Sequence, residues 1–463
     1  MSEQLSAVYG VLMWTDMSGV VQPGMASSLT SVDEVTWTLK LRDGLRFTDG
    51  TAFDADAVKY NWDRAADAAN ACTQQSWVAS WSALTVVDST TLTVKLRSAD
   101  SSFPAGIAEL LPFVGSPTAL RASSSRLNVK PVGAGPFVLA AWNPGVQTVL
   151  NRNAGYWDTP RPYLDRLVFQ DVPEPASRVQ AVVDGGADYT VGNLDQFGTA
   201  ATAPGVTTRE IAAPGLNILW FNAKGGVSGL MNDPRARAAV AAAIDPRGLA
   251  LALTRDPTIK APDSLFPAPS RYHDPSSVYG PYLPSRAQGL IDAVVAAGRR
   301  FEFTIAAPNS PDMIRAAVYL QQTMNSYGNV KADLVLVPAA GWRDLCQRQG
   351  RMDVCLSPEV VTLNPAELLA RDLLHSGGSG NVANNEDPEL DAALDASLAA
   401  NDGAARVAAW SRIQQLYLRD LPFWAYGLQH QTMLIRDSLG GVVNYSQAGT
   451  RVDLLYRCPV KCS

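Results

Sequence analysis

Histidine is scarce in this chain. Among 463 residues there are three, His273, His375 and His430, and they stand far apart. No pair has metal-ligand spacing, and each is flanked by unremarkable residues. Cysteine is nearly as sparse, with Cys72, Cys346, Cys355, Cys458 and Cys462 lacking the matched CxxC pairs of a zinc ribbon. No run approaches the roughly 18–20 apolar residues of a membrane-spanning helix. No leader is visible either: Met1-Ser2-Glu3-Gln4 runs straight into amphipathic sequence, so any leader is expected to lie outside this sequence. Basic residues do not outnumber acidic ones: Lys and Arg total 38 against 44 Asp and Glu, a net charge of -6. That balance argues against a nucleic-acid partner, which would want a basic face. Gly133-Ala134-Gly135 lacks the lysine and the strand-to-helix setting of a phosphate loop. Ser379, within Gly377–Gly380, follows no strand and so is not a nucleophile elbow. The sequence offers no catalytic constellation and calls for no cofactor or metal.

What is present is an ordinary folding composition, 47% hydrophobic and 18% charged. The length exceeds what one hydrophobic core supports, so two or three lobes are expected. The first part reads as strands and turns. Val35–Leu41 alternates as a half-buried strand does, Asp43-Gly44 and Asp49-Gly50 are turn pairs, and Val86–Leu96 is a hairpin. Asp54 caps a helix to Ala65. Strands are expected at Phe137–Trp142, Gln147–Asn151 and Leu164–Gln170, and a helix at Pro175–Asp184. From Leu216 the pattern alternates: strands at Leu216–Asn222, Phe301–Ala306, Ala332–Val337 and Met352–Leu356, with helices such as Pro234–Ala243 and Asp312–Tyr327 between them. That alternation implies an α/β crossover sheet. Gly341–Gln349 reads as a short helix, Ser357–Pro365 as a loop, and the tail from Trp424 as strand.

The cysteines fall into two close pairs with one left over, which fits an oxidising compartment; reduced core residues are the other reading. A helix carrying Cys346, a turn at Gln349-Gly350 and a strand carrying Cys355 form a return path. It can bring the two Cα atoms within the roughly 4.4–6.8 Å that a disulfide requires.

Five ordered blocks carry a resemblance. Trp37–Val58 (Trp-Thr-Leu-Lys-Leu-Arg-Asp-Gly-Leu-Arg-Phe-Thr-Asp-Gly-Thr and onward) resembles the signature of the family 5 extracellular solute-binding proteins, receptors of oligopeptide, dipeptide and nickel ABC importers. Pro131–Phe137 with Asn151–Trp157, Val183–Asp188, Asp233–Asp245 and Asp387–Asp391 follow in the family's order and span nearly the whole chain. Read physically, these blocks supply turns, caps and packing, and so identify the fold and not the ligand.

The resemblance implies a two-lobed, periplasmic-binding-protein-like fold with a cleft between lobes and an extra small subdomain. The expected division is residues 1–30, 131–215 and 426–463 in the first lobe, 31–130 in the small subdomain, and 216–425 in the second lobe. The crossings fall near Gly215-Leu216 and Leu421–Tyr426. The family's first strand has no counterpart at the start of this sequence. The implied function is capture of a peptide or other amphipathic solute, as a monomer, for the membrane permease of an ABC importer, outside the cytoplasm. The protein would be periplasmic or a surface lipoprotein. Two alternatives stay open. One is a non-peptide ligand such as an oligosaccharide, an opine-like conjugate, a metallophore or haem. The other is a sensor or chaperone that uses the same cleft without transport.

The implied ligand-contacting residues are Trp220, Asn222, Glu359, Val361, Trp424 and Tyr426, with hinge packing as the plain alternative for the aromatics. Peptide-binding members usually place an amine-pairing aspartate shortly before an Asp-Pro pair. Here Asn364-Pro365 takes that pair's place, so the aspartate position falls on Val361 and the following aromatic on Thr362. Glu359, two residues earlier, is the candidate substitute.

Overall fold

The computed structural model describes the chain save residues 1–2, 18, 71, 73, 123–129, 193–196, 211–214, 225, 256, 258, 269, 271, 363–370, 379, 399, 401–402, 430–431, 446–448 and 463. It forms two compact units, Met1–Ala213 with Gln431–Ser463, and Pro214–His430.

In the first unit, Ala26–Thr30, Thr36–Leu41, Thr91–Lys95 and Ala83–Asp88 pair in that order as an antiparallel sheet. The β-branched and aromatic residues that alternate along Thr36–Leu41 put Trp37, Leu39 and Leu41 inward. They meet Trp62 of the helix Ala55–Ala66, whose first turn is capped by the Asp54 carboxylate accepting from the Ala57 N–H at 2.9 Å. This core runs from Leu12 to Ala134 and is separate from the unit's other cores. Phe137–Asn143, Gln147–Arg152 and Arg166–Gln170 make a three-stranded antiparallel meander. In a further sheet Thr432–Arg436 lies between Tyr189–Gly192 and Val206–Glu210, so the C-terminal segment is built into this unit. Glu3 ties the chain start to its end: its carboxylate accepts from the Tyr189 hydroxyl at 2.8 Å and the Thr450 N–H at 2.9 Å.

The second unit is organised on a five-stranded mixed sheet in the order Val330–Val337, Phe301–Pro308, Val354–Thr362, Gly215–Phe221, Phe423–Gln429. The first three strands run parallel through helical crossovers, and the last two pair antiparallel. All seven residues of Gly215–Phe221 are buried and all but Asn217 are apolar, as expected of a strand covered on both faces. Helices Pro234–Ala243 and Pro246–Thr254 both begin with proline behind a capping aspartate, Asp233 and Asp245.

Three expectations change. The strand that starts near Met352 continues through Ser357 to Thr362, a stretch that reads as loop in the sequence. It does so across an irregularity in register: Asn217 faces Val360 while Leu219 faces Leu356. The extra residues include Pro358, which has no N–H to give the ladder and is tolerated at a bulge. The helix expected over Gly341–Gln349 is an α-turn Ala339–Arg343 followed by a π-helical turn Asp344–Arg348. Finally, Phe423–Gln429 lies wholly within the second unit's sheet, so the first unit resumes at Gln431 and not at 426.

Asp353, fully buried, fastens this sheet to its flanking loop. One carboxylate oxygen accepts from the Ser228 N–H and hydroxyl at 3.0 and 2.8 Å, and the other from the Thr304 N–H and hydroxyl at 2.8 Å each. Four donors stand in for the water this carboxylate has lost. Asp353→Ala leaves them unpaired, and the unfolding free energy from urea titration should fall by about 3 kcal/mol. An unchanged midpoint would contradict this anchoring.

Candidate functional site

Four of the six expected ligand-contacting side chains are described, all in the second unit. Trp220 is buried, directly opposite Cys355 on one neighbouring strand and Phe423 on the other. Its ring meets Phe423 edge-on at 4.9 Å, and Phe423 in turn packs on Tyr417 at 5.0 Å. The Tyr417 hydroxyl donates to the Phe423 carbonyl at 2.9 Å. Trp220 is thus part of a continuous aromatic core.

Trp424 faces Leu219 in register, one position along from the Trp220–Phe423 pair, so it points to the opposite side of the sheet from Trp220. It is buried and lies 6.1 Å from Tyr426. Tyr426 is buried with a hydroxyl that has no hydrogen-bond partner among the described residues. Burial, aided by the charge of Asp312, lifts its pKa above the usual phenol value. The structure therefore brings Trp424 and Tyr426 together but not with Trp220.

Asn222 closes the end of its strand. Its amide N–H groups donate to the Gly350 and Met352 carbonyls at 2.7 and 3.1 Å, and its oxygen accepts from the Lys224 N–H at 3.2 Å. All of its polar capacity along that turn is taken by backbone. Glu359 and Val361 are strand residues, with Val361 facing Leu216. Their side chains lie outside the described residues, as do Asn364, Pro365, Ser379 and His430.

Cys346 and Cys355 are joined by a disulfide with a Cα separation of 6.3 Å, tying the π-helical turn to the strand beside Trp220. Cys458 and Cys462 form a second, and Cys72 is free. No sequence argument had singled out the cavity of about 390 Å³ between the strand end and the helix Gly403–Asp420. Its cations are Lys224, Arg237 and Arg419, and its anions Glu386, Asp387 and Asp420. Lys224 pairs with Glu386, and Arg419 with both Asp387 and Asp420. Arg237 donates to the Asp420 and Met231 carbonyls, and burial pushes its pKa down to about 10. The charges there are satisfied from within. Among the described residues no three His, Cys, Asp or Glu side chains gather as a metal site, and no helix is long and apolar enough to cross a membrane.

Comparison with known proteins settles the family. Residues 20–381 match the model of the bacterial extracellular solute-binding proteins, family 5. The chain belongs to that family. The resemblance carried by the five sequence blocks is borne out, and with it the receptor class and fold. The glutathione-binding protein GsiB of Shigella flexneri is 35% identical over 166 residues, 36% of this chain and 32% of the relative; the match spans about a third of the relative's length. Two solved structures share the fold over 98% of this chain. AgaA of A. tumefaciens R10, solved with agropinic acid, has a TM-score of 0.82 at 20% identity and is covered over 94%. DppA of Helicobacter pylori, solved with the peptide STSA, has a TM-score of 0.81 at 19% identity and is covered over 92%.

For this family 5 protein the disulfide beside Trp220 is the feature most open to direct measurement. Non-reducing peptide mapping should recover Cys346 linked to Cys355. Replacing both by alanine should lower stability by about 2–3 kcal/mol, the value expected for so short a loop. Two free thiols in oxidised protein would contradict the pairing.

Proposed function

We propose that this chain is the solute-capturing receptor of an ABC importer, working outside the cytoplasmic membrane and passing a peptide or peptide-like solute to a membrane permease. The observation that carries this reading is family 5 membership, joined to the stretch shared with a glutathione-binding protein. The two disulfides support an oxidising compartment. In this reading the protein has no catalytic role.

The ligand contacts we assign lie at Glu359, Val361, Trp424 and Tyr426, because Trp220 is packed on Phe423 and the Asn222 amide is taken by the backbone at its strand's end. Valine at 361 cannot accept a hydrogen bond. A buried ammonium without a carboxylate partner costs several kcal/mol, so in this reading the solute is not held by a free N-terminus.

Calorimetry with glutathione, a di- to pentapeptide library and the N-acetylated library tests both parts. The expected result is micromolar binding of glutathione or of peptides that survives N-acetylation. Binding abolished by N-acetylation, and also by Glu359→Gln, would make Glu359 the amine anchor and overturn the second part. No binding of any peptide would overturn the first part in favour of an opine-like or other non-peptide solute.

A further inference from the structure

The first unit holds a cavity of its own, of about 280 Å³, between the chain's first residues, the segment after Asn153 and the C-terminal stretch. Ligand pockets for small organic molecules run from roughly 300 to 1,000 Å³, so this one suits a small solute or one end of a larger one.

Its charges do not balance. Arg451 is bound bidentately by Asp453, at 2.9 Å through Nε and 2.6 Å through Nη2. Arg161 pairs with Asp158 at 3.0 Å and reaches Asp453 at 3.7 Å. Two guanidinium groups and two carboxylates therefore close on each other. Arg42 is the third cation lining the cavity, and it has no carboxylate partner among the described residues. Its Nε donates to the Gly24 carbonyl at 2.8 Å, and its guanidinium carbon sits 4.8 Å from the centre of the Trp157 ring. Both contacts fix the plane of the fork while leaving the two Nη groups uncommitted. A held guanidinium with its outer edge free is pre-organised for a planar, two-oxygen acceptor.

The Tyr156 hydroxyl adds a donor. It also lines the cavity and has no hydrogen-bond partner among the described residues. Burial, and then the charge of Asp453, raise its pKa, so it stays protonated at all ordinary pH. Apolar surface is supplied by Trp14, which lies under Arg451 at 4.9 Å and meets Tyr445 edge-on at 5.6 Å. The surplus is one positive charge, and Asp158 and Asp453 stand close by. That favours a monoanion over the dianion of a phosphate.

We propose that this cavity is a binding site for a small carboxylate-bearing molecule, with Arg42 as its bidentate anchor and the Tyr156 hydroxyl as a second donor. The site belongs to the first unit alone and does not depend on which solute the protein takes up.

The test is calorimetry on the full chain with acetate, butyrate and benzoate, set against acetamide, benzamide and inorganic phosphate. Saturable one-to-one binding of benzoate or butyrate is expected, with the amides at least tenfold weaker. Arg42→Lys, which keeps the charge but loses the fork, should weaken carboxylate binding at least tenfold. Tyr156→Phe should weaken it several-fold with thermal unfolding unchanged. Should the Arg42 variant fail to fold, Tyr156→Phe and the acid-to-amide comparison decide. Absence of saturable carboxylate binding, equal binding of acid and amide, preference for phosphate, or full affinity in the folded Arg42→Lys protein would each overturn the site.

Discussion

The second unit depends on one strand with nothing exposed. Gly215–Phe221 is buried on both faces and hydrogen-bonded along both edges, and every residue in it but Asn217 is apolar. That constraint propagates. The strand's end is closed by Asn222 holding the turn at Gly350 and Met352. One neighbour is pinned by Asp353 and the Cys346–Cys355 bond, and the other by the Tyr417 hydroxyl on Phe423. Trp220, which sequence alone marks as part of a ligand wall, is packed against Phe423 on the neighbouring strand.

Much of the fold is legible in the sequence where local chemistry and tertiary structure agree. Pro234–Ala243 has the bounds that its Asp-Pro start and alanine run indicate, because cap, proline and propensity all point the same way. The hairpin of Ala83–Asp88 and Thr91–Lys95 is equally plain from its alternation. What is not legible is set by distant partners. Tyr189–Gly192 and Val206–Glu210 are short strands that exist only because Thr432–Arg436, more than two hundred residues on, lies between them. Ser357–Thr362 hides behind Pro358, a local breaker overridden by pairing with Gly215–Asn217.

The candidate site is less legible, for a related reason. An aromatic in a crossing strand reads the same whether it lines a cleft or fills a core. Trp220 and Trp424 differ only in which face of the sheet they occupy, which follows from register and not from composition. The Arg42 cavity was hidden in another way. Arg42 lies inside the block that identifies the family, where turn and packing roles account for every residue locally. Its lack of a carboxylate among the described residues emerges only when Tyr156, Trp157, Arg451 and Asp453 are gathered around it. The other large polar cavity looks similar in composition and is internally neutral, so arginine count alone does not distinguish them.

Capture of a peptide-like solute, which we propose for this chain, leaves a direct trace in native mass spectrometry of protein purified from its own cells without refolding. One small solute per chain is expected, released on denaturation and containing peptide bonds. A co-purified oligosaccharide, metal chelate or haem in its place would contradict it.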